Sequence, residues 1–174
     1  KRKGHSVDVA ISKLKLLMTQ LGIGPEDRTF AQAARDKKEE TGQPAASLQL
    51  PDGRVVIGKT SKLLGASSAL LLNAVKALAG IDKEVDLISR EVIEPVQELK
   101  TKNLGNHNPR LHTDEVLIAL AISAVDSESA DRAMKELTSL RHAEVHSTVI
   151  LSQVDASTFR KLGVNLSCEP KYQT

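Results

Sequence analysis

The spacing of hydrophobic positions changes period several times along the chain, and each change marks an expected element. Val7, Ile11, Leu14, Leu17, Met18 and Leu21 recur at helical spacing behind Ser6, a good N-cap residue, and Gly22 stops the run. Pro25 suits a first helical turn, with Glu26 and Asp27 placed well for the helix dipole. A mostly polar helix follows to about Glu40 and ends in Thr41-Gly42-Gln43-Pro44. This helical pair reads as a peripheral arm or linker over residues 1–44 rather than as core. Residues 47–50 and 54–57 are short extended runs around Pro51-Asp52-Gly53, where Pro presets φ and Gly accepts a positive φ, so a hairpin is expected. From 61 to 79 the pattern is helical and apolar on most sides, the mark of a buried helix, and Gly80 caps it.

Residues 85–88 suit a short strand or extended link, and 89–103 a helix broken or kinked at Pro95. A polar loop over 105–112 leads to Thr113, which is expected to cap a strongly apolar helix over 114–125. Ser127, Ala130, Met134, Leu137 and Leu140 predict another helix. Residues 145–151 make the best strand, 155–162 a short helix closed by Gly163, and 164–168 a last strand. Two strands are adjacent and two are separated by a helix. The expected fold is α+β, with helices packed on a small mixed sheet of about four short strands in a domain over residues 45–174.

Composition narrows the function classes. The chain has 174 residues, 40% hydrophobic and 26% charged, which suits one soluble globular domain. A formal net charge of +2 is too balanced for a nucleic-acid or membrane partner, and Phe30, Phe159 and Tyr172 are too few aromatics for base stacking. Cys168 is the only cysteine, so no internal disulfide forms and a reducing cytoplasm is expected. No apolar run approaches the ~20 residues of a membrane span. The chain starts Lys1-Arg2-Lys3-Gly4-His5, without an initiator Met, and looks cut from something longer.

Three clusters could carry chemistry. Gly53 to Thr60 matches the letters of a nucleotide phosphate loop, G-x-x-x-x-G-K-[ST], but its Arg-Val-Val-Ile middle prefers a strand. A weaker reading keeps Lys59, Thr60 and Ser61 as an anion site where a helix opens, against a simple N-cap role for Thr60 or Ser61. The loop 105–115 concentrates His107, Asn108, Arg110, His112, Asp114 and Glu115 beside an apolar helix. There His107 and His112 with a carboxylate could bind zinc, although no H-E-x-x-H motif is present. His142, Glu144 and His146 alternate along a strand start, so they would share one face, a metal face or merely a solvated one. Cys168 and Glu169 would approach His146 if the last two strands pair, with Cys168 expected to be a buried, inert thiol.

Several runs together resemble one family. Thr41-Gly42-Gln43-Pro44-Ala45-Ala46, Leu50-Pro51-Asp52-Gly53-Arg54, Gly58-Lys59-Thr60-Ser61, Leu64-Gly65-Ala66-Ser67-Ser68, and the stretches 105–117 and 146–155 are similar to the uncharacterised bacterial family catalogued as domain of unknown function 1846, sometimes labelled ATP-dependent zinc protease. The resemblance covers nearly the whole chain. It implies that this is the C-terminal portion of a much longer protein whose N-terminal part holds a Gly-rich, phosphate-loop-like segment. Lys59, Thr60, Ser61, His107, Asn108, Arg110, His112, Asp114, Glu115, His146, Ser147, Cys168 and Glu169 carry over by position. The family's usual pattern has no histidine in the place of His142, which weakens the metal face.

Two functions follow as expectations. In the first, one pocket handles a phosphorylated or anionic small molecule, linked to a nucleotide. Lys59, Thr60, Ser61, Asn108 and Arg110 hold the anion, His112 or His146 moves the proton, and Asp114 or Glu115 orients the imidazole or holds Mg²⁺. A divalent metal on His107, His112 or His146 would be its cofactor. In the second, the domain is a non-catalytic assembly or regulatory module for the nucleotide-binding N-terminal half, or a homo-oligomer built on the helix 61–79.

Overall fold

A computed structural model of the protein describes residues 7–172; Ser6 and the basic run before it lie outside the described residues. Helix α1 (Asp8–Leu21) ends where Gly22 takes a left-handed φ of 64°, and a 3-10 turn at Pro25–Asp27 leads into α2 (Thr29–Thr41). The hairpin follows as β1 (Ala45–Gln49) and β2 (Val55–Lys59), with Gly53 at φ 85° in the turn. Helix α3 (Ala66–Leu78) crosses to α4 (Arg90–Glu98), which runs out into a π turn at Leu99–Asn103. Next come α5 (Thr113–Ser123), α6 (Glu128–Lys135) with a 3-10 turn at Glu136–Leu140, β3 (Glu144–Ser147), α7 (Gln153–Lys161) and β4 (Asn165–Cys168).

The sheet order is β2-β1-β3-β4, with β1 antiparallel to both β2 and β3, and β3 parallel to β4 across the α7 crossover. Side chains alternate along each strand, so the register assigns the two faces. Ala46, Leu48 and Val145 face the core, where Leu70, Leu71, Val75, Val116, Leu120 and Phe159 fill the space beneath the helices. Ser47, His146 and Ser167 face the other way. Helix α2 covers that second face: it buries Phe30, Ala31 and Ala34, and the Ser47 hydroxyl donates to the Phe30 carbonyl. The two N-terminal helices therefore differ. Helix α1 buries no residue, whereas α2 is a layer of the body.

Several boundaries move for local physical reasons. Helix α3 starts at Ala66 rather than 61, because the Ser61 hydroxyl accepts the Leu63 and Leu64 amides and Leu64 bridges to Leu111. Strand β3 stops at Ser147, whose hydroxyl turns the chain by donating to the Val149 carbonyl. Residues 85–88 form no strand. His142 precedes β3 with a left-handed φ of 68°, so it does not extend the Glu144 and His146 face. Cys168, on the edge strand, is exposed rather than buried.

The phosphate-loop letters have another cause. Val55 to Lys59 pair in register with β1, which commits this stretch to the ladder rather than to a curled anion cradle. Gly58 is glycine because α3 lies directly on it: a Cβ there would sit 2.2 Å from the Leu70 nitrogen. We predict that Gly58→Ala pushes α3 off the sheet and costs at least about 2 kcal/mol, roughly 4–8 °C in Tm. A thermal melt unchanged from that of the wild type would show that the helix yields without cost.

Candidate functional site

The polar loop is sewn to the segment before α3. Leu111 donates its amide to the Leu63 carbonyl at 3.1 Å, the Arg110 Nε donates to the Ser61 carbonyl at 2.8 Å, and the Ser68 hydroxyl donates to the Leu111 carbonyl at 2.8 Å. Beneath it lies Lys100, a buried lysine from the π turn. Its Nζ donates to the Arg110 carbonyl and to the Glu115 carboxylate, both at 2.7 Å. The same Glu115 oxygen accepts the His112 amide at 2.7 Å and so caps α5. Lys100 thus fixes both ends of the Arg110–His112 turn.

Asp155, in the first turn of α7, completes the arrangement. One carboxylate oxygen accepts the Thr113 amide at 3.0 Å and the Thr113 hydroxyl at 3.1 Å. The other accepts the Ser152 hydroxyl at 2.8 Å and lies 3.3 Å from His112 Nδ1. Burial pushes Asp155 up, but the bonds from His112, Thr113 and Ser152 outweigh it and hold the carboxyl below its ordinary range. The bond to Asp155 raises His112 above an ordinary histidine, against the opposing pull of burial and of Lys100. With Nδ1–H directed at the carboxylate, Nε2 is the nitrogen left to take or release a proton.

These groups open on one cleft of about 70 Å³, lined by Thr60, Ser67, Asn108, Arg110, His112 and Asp155. The Arg110 guanidinium forms no ion pair among the described residues. The Thr60 hydroxyl is buried and has no hydrogen-bond partner.

Four of the expected residues, Thr60, Asn108, Arg110 and His112, therefore meet. The rest go elsewhere. Lys59 is exposed and projects from the α2 side of the sheet, because strand alternation turns it away from Gly58 and Thr60. Ser61 is engaged in its turn, Asp114 is exposed and accepts the Glu115 amide, and His107 is exposed on the loop. Glu115 is held by Lys100 and by its capping bond rather than being free to orient an imidazole.

His146 belongs to a second cluster beneath α2. Strands β3 and β4 do pair, and His146 lies 3.0 Å from the Ser167 hydroxyl and 3.3 Å from Glu169, which also accepts Arg35 at 2.9 Å. This looks like a serine–histidine–glutamate line, but Ser167 donates its proton to the Val145 carbonyl and accepts from Arg28. The Ser167 hydroxyl is thus shared among the imidazole, the Val145 carbonyl and Arg28, a bonding pattern that ties β4 to β3 and to the segment before α2. Burial lowers His146 below its ordinary value, the Glu169 carboxylate pulling the other way. The sheet separates this cluster from Arg110 and His112, and the single pocket expected from sequence is two sites.

A zinc centre does not fit. Among the described residues no group of three or more His, Cys, Asp and Glu side chains is placed to hold a metal ion. His107, His112 and His146 do not converge, and the strand conformation of residues 55–59 offers no cradle for nucleotide phosphates. Asp155 and Lys100 belong to none of the three clusters that the sequence marks. Ser152-Gln153-Val154-Asp155 is no named motif, yet Ser152 three residues before Asp155 is a helix-start pattern that places Asp155 in a first turn, though not against His112.

The fold defines a small α+β module with a polar cleft at the meeting of three helix starts and a second polar cluster beneath α2. The chain belongs to the family described as "Domain of unknown function DUF1846, C-terminal", whose model matches residues 26–174. A UPF0371 protein of Streptococcus pyogenes serotype M5 is 54% identical over 164 residues, covering 94% of this chain and 33% of the relative. A UPF0371 protein of Corynebacterium glutamicum is 53% identical over 172 residues, covering 99% and 35%. The chain thus spans about a third of the length of these curated relatives. No described helix is long and apolar enough to cross a membrane.

Two predictions follow from the geometry. An NMR titration should place His112 above the ordinary histidine value, and Asp155→Asn should lower it. Because the folded value is raised, this group's contribution to stability is full below the unfolded value and is lost as pH rises through the folded one. Lys100→Met leaves Glu115 without its cation in a largely buried setting and should cost about 2 kcal/mol, roughly 4–8 °C in Tm, with part recovered in Lys100→Met/Glu115→Gln. A double variant no better than the single one would remove the ion pair from the account.

Proposed function

We propose that this domain carries part of an enzyme centre that acts on a phosphorylated or otherwise anionic small molecule. One observation carries the reading: a histidine held on a buried carboxylate shares a cleft with an unpaired arginine. Arg110 presents a planar fork suited to an oxyanion, its Nε already spent on the Ser61 carbonyl. His112 serves as the acid or base, oriented by Asp155, which also stabilises its protonated form. The cleft of about 70 Å³ suits an anionic group rather than a base and ribose, so a nucleotide would be held elsewhere in the full-length protein.

The test is phosphate release from a panel of phosphate monoesters, with thermal-shift binding of phosphorylated and carboxylated small molecules, using the full-length family protein. Arg110→Met should raise KM at least tenfold with stability within about 1 kcal/mol of the wild type. His112→Gln should lower kcat by about 10²–10⁴ with little change in binding. Variants that simply unfold, or a wild type that binds no member of either class, would end this reading.

A second reading, assembly with the rest of the polypeptide, has its own support. Helix α1 leaves Ile11, Leu14, Leu17 and Leu21 exposed, Leu14 by 58% and Leu17 by 53%, and it precedes the matched domain at 26–174. On this reading the remaining two thirds of the full-length protein cover that apolar stripe. Amide exchange across 11–21 should be at least 100-fold slower in the full-length protein than in the 174-residue chain, and Leu14→Lys/Leu17→Lys should abolish the difference. Equal exchange in both would refute it.

A further inference from the structure

Three helices begin at the cleft, and they differ in how their first amides are satisfied. A helix start leaves its first N–H groups without intrahelical partners, and together with the dipole they form a positive end. At α5 the His112, Thr113 and Glu115 amides go to Glu115, Asp155 and Asp114. At α7 the Asp155 amide goes to the Ser152 hydroxyl. At α3, a helix of 13 residues, the N-cap is Gly65 and no side chain caps the start. Gly65, Ala66 and Ser67 line the cleft, so of the three starts that meet there α3's is the one without a side-chain cap.

The second observation is independent of the helix. Thr60 is only 4% exposed, lines the same cleft, and its Oγ1 has no partner although its amide is bonded to the Pro44 carbonyl. A buried hydroxyl without a partner is costly and rare, and this one belongs to a residue that lines the cleft together with Ala66, Ser67 and Arg110. The Asp155 carboxylate lines the same cleft and keeps its charge; its oxygens accept from Thr113, Ser152 and His112, and a protonated His112 balances it.

We infer that the cleft is a seat for a tetrahedral phosphate group, held by the α3 amides of Ala66 and Ser67, the Thr60 hydroxyl and the Arg110 guanidinium. This deepens the proposed function and rests on it, naming the anion as a phosphate rather than a carboxylate. The donors stand on separate walls: a helix start, a strand end and the loop that follows the π turn. A tetrahedral oxyanion offers each wall its own oxygen and carries up to two charges for the helix end and Arg110 to balance. A planar carboxylate has two oxygens and leaves one wall unserved. Asn108, whose Oδ1 already accepts the Arg110 amide, holds that loop in the conformation the seat requires.

The probes are inorganic phosphate, phenyl phosphate and malonate, titrated into the 174-residue protein and the full-length family protein and read by amide NMR and by Tm. The expected result is saturable phosphate binding that moves the Ala66 and Ser67 amides, weakened at least tenfold in Thr60→Val and kept in Thr60→Ser. Thr60→Val should also raise the Tm of the phosphate-free protein, because it removes the orphan hydroxyl; a purely structural threonine would not couple these two changes. Tighter binding of phenyl phosphate than of inorganic phosphate assigns the seat to a monoester, and the reverse to the free ion. Malonate binding without phosphate binding, or phosphate affinity unchanged in Thr60→Val, overturns this inference and leaves the proposed function standing. Failure of all three probes to bind removes both.

Discussion

The carboxylate of Asp155 joins three segments that are distant in sequence, and the order of the site depends on that junction. It is almost buried, a costly position for a charge, yet every nearby donor is directed at it: the Thr113 amide and hydroxyl, the Ser152 hydroxyl and the His112 ring. Those bonds fix the start of α5 against the start of α7 and set the ring orientation of His112. They also hold the imidazole in its more basic state. Remove the carboxylate and two helix starts lose their common acceptor, while His112 loses both its orientation and its basicity.

Satisfaction at α5 and α7 gives the lack of it at α3 its meaning. A fold that caps two of three neighbouring helix starts with side chains has the means to cap the third, and a Ser, Thr, Asp or Asn at position 65 would do so. Gly65 stands there instead, and the hydroxyl of Thr60, which lines the same cleft, is left without a partner. The contrast with the second cluster is instructive. Around His146 every polar group is paired, Ser167 with Val145 and Arg28, Glu169 with Arg35, so that cluster ties α2 to the sheet and keeps nothing in reserve for a ligand.

Much of the fold is legible in the sequence because its signals are local. The Pro51-Asp52-Gly53 turn, the helix stop at Gly22 and the β3-α7-β4 order follow from residues within a few positions of one another. Misplaced features depend on distant partners. Ser61 reads as a helix start until Leu64 is seen to bridge Leu111, and α2 reads as peripheral because Ala31 and Ala34 pack closely on a sheet without adding much hydropathy. The loop 105–115 is legible as a site from its density of polar residues. The Gly58-Lys59-Thr60 letters point to Lys59 as part of it, although the period of two that makes Gly58 face α3 sends Lys59 to the opposite side. Asp155 and Lys100 lie beyond reach, since Ser152 places Asp155 only in a helix start and nothing adjacent to Lys100 distinguishes it from a surface charge.

Size sets the division of labour within the longer protein. On the proposed function, a cleft of about 70 Å³ grips a group rather than a molecule, so whatever distinguishes one phosphorylated compound from another has to be supplied by surface outside it. The relatives have about two thirds of their length beyond the region matched by this chain, and α1 carries an apolar stripe that the described residues leave uncovered. If that stripe is where the remaining chain docks, the same contact that covers it brings further surface to the module bearing the anion seat. On this reading the domain contributes charge and proton transfer, and the rest of the polypeptide contributes selection.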